Sequence, residues 1–369
     1  MDKVPLVDLR AALAPIRAEL FEQFGAILDR MQLYLGPQVT RFESEFAAFC
    51  QVAHGISVSS GTDALFVALR ACGIGPGDEV VVPSLTFFAT IEAICHTGAT
   101  PVFCDVEPDQ LTIDVSRIPA ALSPATRAIV PVHLYGHPAR MDPILQIAGA
   151  HGLRVIEDAA QAHGALDRQR RCGSMSTAAS FSFYFTKNLG GLGEGGFVTT
   201  NDAEVAERAR LLRNHGHVSK FEHGLVGHNF RMDELQAAVL RLKLRTLEKD
   251  NQRRRQLAAN YARRLDHPNI QVLGISSDCE PVHQVYPIRV QQRDRLRALL
   301  EANGIETGIH YKIPAHRQPA MKQHPHRCGA MPVTDEVCDQ LLSIPMYAQL
   351  TDRQQTQVID QVLQGCRQL

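Results

Sequence analysis

Short apolar segments alternate with segments of helical spacing through the first half of this 369-residue chain, and this alternation constrains its fold more than any other feature. The apolar segments are bounded by turn residues, as buried strands are. Strands that alternate with helices favour a mostly parallel sheet covered by helices on both faces, so we predict an α/β domain. The expected strands are residues 55–58, 79–82, 101–104, 128–132, 154–156, 179–183 and 196–199, and the expected helices are residues 63–71, 88–96 and 142–151.

The pattern changes after about residue 202, where helical segments rich in Leu, Ala, Lys and Arg follow one another. Helices are expected at 204–214 and 232–264, and the second is long enough to carry the chain into another domain. The remaining predicted elements are a strand at 284–290, a helix at 293–303 and a last helix at 352–365 capped by Thr351. Since single cores rarely grow to this length, we predict a large α/β domain at residues 1–245 and a smaller α+β domain at residues 246–369.

Composition and charge argue against several classes of protein. The formal net charge of -1 gives no long-range attraction to nucleic acid or to a membrane surface. The nine cysteines are odd in number and form no C-x-x-C pair, so neither a disulfide framework nor a metal site is expected. The N-terminal residues lack the features of a secretion signal, and the apolar runs are too short to cross a bilayer. We expect a cytoplasmic protein that binds neither nucleic acid nor a membrane.

The most informative segment for chemistry is residues 180–196, where an aromatic-rich strand delivers Lys187 and a glycine-dense loop follows. A lysine in this position can be desolvated, which lowers its pKa and makes the neutral amine available as a nucleophile or Schiff-base partner. The alternative is a solvated lysine in a loop after an edge strand. The glycines also match a G-x-G-x-x-G dinucleotide motif, which would indicate a nicotinamide enzyme. That motif must open a helix, whereas a β-branched strand follows here, so we consider this interpretation the weaker one.

Two further segments place polar groups at the ends of predicted strands. At residues 58–63 a strand runs through Gly61 and Thr62 into a helix, whose first turn offers free N–H groups to a phosphate. Simple N-capping is the alternative. At residues 155–164 a strand ends in Asp158, and α/β proteins bind their ligands at such strand ends. An ionised Asp158 against a pyridine nitrogen would keep that nitrogen protonated, and the alternative is that Asp158 caps the next helix.

Taken together, these segments closely resemble the sugar aminotransferases of the DegT/DnrJ/StrS family. The resemblance extends over nearly the whole chain, and its most specific motif is SFxxxKxxxxxGEGG at residues 182–196. Further matching segments are GPGDEV at 75–80, PSLTFFAT at 83–90, PVHLYG at 131–136, GHNFRMDELQAA at 227–238 and LSIPM at 342–346. The resemblance implies an enzyme of PLP fold type I, dependent on pyridoxal 5'-phosphate (PLP), that works as a homodimer with active sites at the subunit interface.

The resemblance also implies roles for individual residues. Lys187 would form the Schiff base with PLP, and Asp158 would contact the pyridine nitrogen. The other expected cofactor contacts are Phe87 stacked on the ring, Gln161 near the ring hydroxyl, Gly61, Thr62 and Ser182 around the phosphate, and Asn229 reaching in from the other subunit. The candidate substrate contacts are Arg231, His310 and Tyr311.

The expected reaction transfers an amino group from L-glutamate to a nucleotide-linked keto-sugar, a 3-keto or 4-keto deoxyhexose, with pyridoxamine phosphate as an intermediate. Lys187 favours this reaction over dehydration, since a dehydrating branch of the family has histidine at this position. Phe185 and His228 stand where the family usually has proline and tyrosine, and we expect both to alter the wall that faces the sugar. Two alternatives stay open: a keto-cyclitol such as scyllo-inosose as the acceptor, and a non-catalytic regulatory protein on the same fold.

Overall fold

A computed structural model describes residues 3–369 of the chain. In this part of the chain the strands are β1 (His54–Val58), β2 (Glu79–Pro83), β3 (Thr100–Cys104), β4 (Thr126–Ile129), β5 (Arg154–Asp158), β6 (Leu166–Asp167), β7 (Arg170–Arg171), β8 (Ala178–Ser182), β9 (Gly196–Thr200), β10 (His217–Ser219), β11 (Glu222–His223), β12 (Gln271–Val272), β13 (Cys279–Glu280), β14 (Tyr286–Arg289), β15 (Arg327–Cys328) and β16 (Leu341–Ile344). The α-helices are α1 (Leu9–Leu13), α2 (Arg17–Arg30), α3 (Pro37–Cys50), α4 (Gly61–Ala71), α5 (Ala89–His96), α6 (Ile118–Ala121), α7 (Met141–His151), α8 (Ala203–Arg213), α9 (Glu234–Leu244), α10 (Leu247–Arg264), α11 (Arg293–Ala302), α12 (Pro332–Gln340) and α13 (Asp352–Cys366). None of these helices is both long and apolar enough to span a membrane.

An eight-stranded sheet lies at the centre of the fold, in the order β1-β9-β8-β5-β4-β2-β3-β15. Neighbouring strands are parallel except at β9, which is antiparallel to β1 and to β8. In β2 the consecutive valines are all fully buried, with Val80 and Val82 in one core cluster and Val81 in another. Cores on both faces explain why these strands read as continuous apolar runs. The predicted α/β fold with a mostly parallel sheet is confirmed.

Helix α3 packs against β8 and the segment that follows it. Its apolar side chains recur three and four residues apart, at Val39, Phe42 and Phe46, and all are buried. The Phe46 ring lies 5.1 Å from the ring of Phe181 and 5.2 Å from that of Phe183, both in edge-on geometry. These aromatic contacts hold β8 and the start of the loop that carries Lys187.

The C-terminal part of the chain builds its own core. The antiparallel strands β12, β14 and β16 form a three-stranded sheet, and α10, α11 and α13 supply apolar side chains to the same core as β14 and β16. Thr351 caps helix α13 as predicted, and it forms a full capping box with Gln354. Strand β15 instead joins the edge of the large sheet beside β3. The division into domains at residue 245 stays a prediction.

Several predicted boundaries differ from the observed ones. The single helix expected at 232–264 is wrong, because the chain forms α9 and α10 with Arg245 and Thr246 between them. Each segment docks separately, so tertiary packing breaks a pattern that is continuous in the sequence. The strand expected at 128–132 is β4 at 126–129; Val130 still donates to Val81 O at 2.8 Å, but Pro131 has no N–H to continue the ladder. Helices α2, α3 and α12 and strand β16 are not among the predicted elements.

Candidate active site

A cavity of about 470 Å³ opens at the carboxyl ends of β5 and β8. Segments from distant parts of the sequence meet there: the start of α4, the loop after β2, the end of β5, the loop after β8, and two segments near residues 284 and 310. The carboxyl ends of parallel strands are where α/β proteins bind ligands. The predicted site residues that line this cavity are Gly61, Thr62, Phe87, Asp158, Gln161, Ser182, Lys187, His310 and Tyr311.

Lys187 reaches the cavity from the loop after β8, where its backbone N–H donates to Tyr184 O at 2.8 Å. The residue is half-buried. Burial lowers the pKa of Lys187 from 10.5 to about 8, although the carboxylates of Asp158 and Glu194 oppose the shift. An appreciable fraction of the amine is therefore neutral near pH 7, which a nucleophilic or Schiff-base lysine requires. The solvated loop lysine considered from the sequence does not describe this position.

Asp158 is the last residue of β5, and two donors orient its carboxylate. Thr90 Oγ1 donates to Asp158 Oδ2 at 2.8 Å, and the N–H of Ala160 donates to Oδ1 at 3.1 Å. Thr86 Oγ1 lies 2.8 Å from Thr90 Oγ1. Since the Thr90 hydroxyl hydrogen points to Asp158, the Thr86 hydroxyl must donate to Thr90. These bonds fix the direction of the carboxylate, so this wall of the cavity presents acceptor oxygens in a defined orientation.

The start of α4 forms a cradle for an anion. Ser60 caps the helix by accepting from Asp63 N at 3.1 Å. The N–H groups of Gly61 and Thr62 in the first turn have no intrahelical acceptor, and both residues line the cavity beside Ser182. A Cβ on Gly61 would lie 2.5 Å from Ser182 Cβ, so glycine lets the two segments approach. Such a helix start suits a phosphate monoester.

Steric crowding requires glycine at position 196, the last glycine of the glycine-rich loop. A Cβ on Gly196 would lie 1.9 Å from the carbonyl oxygen of Ser60, the residue that caps α4. Gly196 also begins β9 directly, so no helix opens after the loop. The dinucleotide-motif interpretation is therefore wrong for this segment.

Phe87 and Gln161 line the cavity together with Asp158, and we call these three residues its inner wall. The Phe87 side chain is 57% exposed, although it lines a cavity, and its ring lies 5.7 Å from that of Tyr311. An open aromatic face offers a stacking surface to a planar ligand. Gln161 Oε1 accepts from Tyr135 N at 2.5 Å, and Nε2 donates to Tyr311 Oη at 3.1 Å. One amide hydrogen of Gln161 is left for a ligand.

The C-terminal part of the chain contributes Gln284, His310 and Tyr311 to the cavity, and we call these residues its outer wall. His310 Nδ1 lies 2.9 Å from Ser343 Oγ. Burial lowers the pKa of His310 to about 4, and the nearby Lys187 adds to the shift. The imidazole is therefore neutral at physiological pH, and it can form hydrogen bonds but supplies no positive charge. Burial raises the pKa of the neighbouring Tyr311, which keeps its phenol protonated.

Two predicted residues, Asn229 and Arg231, do not line this cavity. Asn229 is exposed on the surface. Arg231 donates to Asn214 Oδ1 at 2.9 Å, and its guanidinium lies 4.4 Å from the centre of the Tyr34 ring. Within one chain these residues are separate from the other candidates.

Sequence reasoning missed several residues of the cavity, among them Thr86, Thr90, Glu194 and Gln284. Thr86 and Thr90 lie in the segment that resembles the family, within three residues of the stacking candidate Phe87. Their closeness to Phe87 in the sequence is the signal that could have identified them. No local pattern marks Gln284, whose side chain donates to Thr186 O at 3.4 Å across the fold.

Outside the cavity, the buried residues His133, Glu157 and Cys172 have potential metal-ligand atoms within 4.8 Å of one another. Their hydrogen bonds explain the cluster. His133 Nδ1 accepts from Ala139 N at 2.9 Å, so Nε2 carries the proton and donates to Glu157 Oε2 at 2.9 Å. Burial opposes ionisation of Glu157, but bonds from His133 and from Gly173 N outweigh it and lower its pKa. Both ring nitrogens are engaged, and we interpret the cluster as structural.

Comparison with known proteins agrees with the resemblance found in the sequence. Residues 15–363 match the DegT/DnrJ/EryC1/StrS aminotransferase family. One relative is a dTDP-3-amino-3,4,6-trideoxy-alpha-D-glucose transaminase of Streptomyces venezuelae, 46% identical over 98% of this chain and 95% of the relative. Another is a UDP-N-acetyl-3-dehydro-alpha-D-glucosamine 3-aminotransferase of Acidithiobacillus ferrooxidans, 44% identical over 95% of each protein. A similar solved structure is S. venezuelae DesV in complex with a ketimine intermediate, with a TM-score of 0.96 and 46% identity over 99% of this chain and 98% of that one. The match over nearly the whole chain, together with the cavity around Lys187, shows that this protein belongs to the DegT/DnrJ/EryC1/StrS aminotransferase family of PLP-dependent enzymes.

Proposed function

We propose that this enzyme transfers the amino group of L-glutamate to the C3 carbonyl of a nucleotide-linked keto-hexose. The observation that carries the proposal is the cavity itself, where the Lys187 amine, with a pKa of about 8, shares the wall with the oriented carboxylate of Asp158. The two relatives described above are named for amino transfer at carbon 3 of nucleotide-linked sugars, and they align along almost the full chain. These names favour carbon 3 over carbon 4.

The cavity residues fit PLP by chemistry and by size. A cavity of about 470 Å³ accommodates the cofactor and part of a substrate. Each polar group of PLP has a complementary residue: Gly61, Thr62 and Ser182 for the phosphate, Asp158 for the pyridine nitrogen, Gln161 for the ring hydroxyl, Phe87 for the ring face and Lys187 for the aldehyde. When bound, PLP supplies an electron sink for charge released at the substrate carbon.

Lys187 would move the protons of the reaction. It is the one amine among the described residues that line the cavity. Its Nζ would take the proton from Cα of L-glutamate and later deliver a proton to C3 of the sugar. A pKa of about 8 lets the same group hold and release a proton near neutral pH. Since both substrates use one site in turn, the kinetics should be ping-pong.

The charge of the cavity supports a homodimer with shared active sites. The described lining includes the carboxylates of Asp158 and Glu194 against the single cation Lys187, whereas PLP, L-glutamate and a nucleotide sugar are all anions. An additional cation is expected from elsewhere. Arg231 is half-buried, with its guanidinium bonded to Asn214, and Asn229 is exposed; neither residue lines the cavity of its own chain. Arg231 would supply a positive charge and Asn229 a neutral hydrogen-bonding amide. We infer that they enter the cavity of a second copy.

An exposed apolar patch beside Arg231 supports the same inference. Glu234 N donates to Leu33 O at 2.9 Å and Leu192 N donates to Gln236 Oε1 at 2.8 Å, so the loops around these residues lie next to the start of α9. The exposed side chains of this patch are Met31, Leu33, Tyr34, Leu192 and Leu235. Contiguous exposed apolar side chains are typical of an interface.

Subunit complementation tests the shared site. Lys187→Ala and Asn229→Ala should each be nearly inactive alone. If each site combines Lys187 of one subunit with Asn229 of the other, each mixed dimer has one intact site, and random exchange of equal amounts restores about a quarter of the wild-type activity. Mixed protein that stays inactive, although exchange is shown by native mass spectrometry, would contradict the shared site.

A substrate panel tests the reaction. The purified enzyme with PLP and L-glutamate is offered dTDP- and UDP-linked 3-keto hexoses, the 4-keto isomers and scyllo-inosose. We expect release of 2-oxoglutarate and an amine at C3, located by NMR, with the 3-keto sugars alone. Faster turnover of a 4-keto sugar or of scyllo-inosose would reject the proposed acceptor. Lys187→Ala is the control. An aminotransferase would lose amino transfer after this change, whereas a non-catalytic regulatory protein on this fold would keep its regulatory function.

We also propose that the protein works in the cytoplasm. All nine cysteines are free, and five of them are buried. Free buried thiols are typical of proteins from reducing compartments, which supports this location.

A further inference from the structure

Tyr135 is fully buried and does not line the cavity, yet its three polar groups bond to three residues that do. Its N–H donates to Gln161 Oε1 at 2.5 Å. Its carbonyl oxygen accepts from Gln284 N at 2.9 Å, and its hydroxyl donates to His310 O. One residue therefore joins the inner wall of the cavity to two segments of the outer wall.

The backbone of Tyr135 is held in an unfavourable conformation. Its φ of 60° and ψ of 9° lie in the left-handed region, which glycine adopts readily and a residue with a Cβ does not. The surrounding contacts must compensate for this strain, and such compensated strain concentrates at functional sites. The next residue, Gly136, accepts from Val282 N at 3.0 Å and so fixes the same short pairing between residues 135–136 and 282–284.

Each residue bonded to Tyr135 makes a second contact, and for Gln161 and Gln284 this contact is to another residue of the cavity lining. Gln161 Nε2 donates to Tyr311 Oη at 3.1 Å, and Gln284 Nε2 donates to Thr186 O at 3.4 Å, one residue before the lysine. His310 is held from its other side by Ser343 Oγ, 2.9 Å from Nδ1. Tyr135, which is buried outside the cavity lining, therefore connects the two walls.

We propose that Tyr135 is a positioning residue that sets the distance between the inner wall at Gln161 and the outer wall at Gln284 and His310, and thereby the fit of the substrate between them. The inference rests on the proposed function in that a substrate enters between these walls. Two of the three bonds belong to the backbone, so a side-chain change isolates the third. Tyr135→Phe removes the hydroxyl that holds His310 O and keeps the bonds to Gln161 and Gln284.

Tyr261→Phe is a matched control. Tyr261 is also fully buried, and its hydroxyl donates to a main-chain oxygen, that of Pro345, at 2.9 Å in the C-terminal core. Each variant leaves one main-chain carbonyl without its hydroxyl donor, so both should lose stability in thermal denaturation. Only Tyr135→Phe should raise the KM for the keto-sugar, by about tenfold, with kcat changed by less than about threefold. PLP affinity, measured by equilibrium dialysis, should stay at the wild-type value in both.

Two results would overturn the proposal: a KM for Tyr135→Phe equal to that of Tyr261→Phe, or weaker PLP binding with an unchanged KM. The L-glutamate half-reaction, followed by the absorbance of the bound cofactor, gives a second reading. We expect its half-saturating L-glutamate concentration to rise about tenfold as well, because both substrates occupy the same cavity. If the wild-type enzyme aminates no nucleotide-linked sugar, the proposed function fails, and the L-glutamate reading alone decides the role of Tyr135.

Discussion

Replacing Lys187 by methionine should stabilise the PLP-free protein while it abolishes the reaction. The folded chain holds the lysine amine in a cavity where burial disfavours its charge and lowers its pKa from 10.5 to about 8. Methionine has a similar length and no charge to desolvate. An active-site group that costs stability is the expected trade-off in an enzyme.

The magnitude follows from the pKa difference of 10.5 − 8 = 2.5. At about 1.36 kcal/mol per unit this corresponds to an upper bound of about 3.4 kcal/mol. Because Lys187 is half-buried and solvent screens part of its charge, we expect roughly 1–3 kcal/mol. Well below pH 8 the amine is protonated in both the folded and the unfolded chain, so the cost is fully present there and nearly so at pH 7. As the pH rises from 8 to 10.5 the folded amine is neutral while the unfolded amine still binds a proton, and the cost disappears.

Urea unfolding of the PLP-free proteins, followed by circular dichroism between pH 7 and pH 10, measures this difference. The midpoint of Lys187→Met should exceed that of the wild type at pH 7, and the gap should narrow steadily above pH 8. Lys249→Met, a change at an exposed lysine of α10, controls for the loss of a positive charge. A variant that is less stable than the wild type at pH 7, or a gap that is independent of pH, would refute the reasoning.

Substitutions at three further positions test other parts of the site. Thr90→Val removes the hydroxyl that donates to Asp158 at 2.8 Å and should lower kcat by about tenfold, whereas Thr90→Ser should restore it; steady-state kinetics would show no difference if the bond is incidental. Asp158→Asn should keep PLP bound, as its absorbance would report, yet lower kcat by about a hundredfold or more because the amide carries no charge to stabilise a protonated ring. Gly196→Ala forces a Cβ to within 1.9 Å of Ser60 O and should cost about 3 kcal/mol or more in denaturant unfolding; a wild-type midpoint would show that the loop moves freely.

The elements that the sequence predicts correctly are those with local signals. Apolar runs mark the strands of the large sheet, and the polar residues at their ends mark Lys187 and Asp158 as candidates for chemistry. Helix α3 also carries a local signal, in the spacing of Val39, Phe42 and Phe46, although it is absent from the predicted elements. Its role in holding β8 depends on tertiary contacts, which that spacing does not specify.

Other features depend on contacts that no local pattern records. Thr90 and Asp158 are 68 positions apart in the chain, and Tyr135 meets His310 across 175 positions. The break at Arg245 and Thr246 arises because α9 and α10 pack against different parts of the molecule, although the sequence is helical on both sides. Such features follow from tertiary packing, which overrides local propensity.

The most direct test of the central claim is the position of the covalent link to PLP. Enzyme saturated with PLP is reduced with borohydride, digested and mapped by mass spectrometry. The account predicts a phosphopyridoxyl adduct on Lys187, its loss in Lys187→Met, and no comparable adduct on Lys243, the other lysine whose pKa burial lowers to about 8. An adduct on a different lysine, or none at all, would contradict the account.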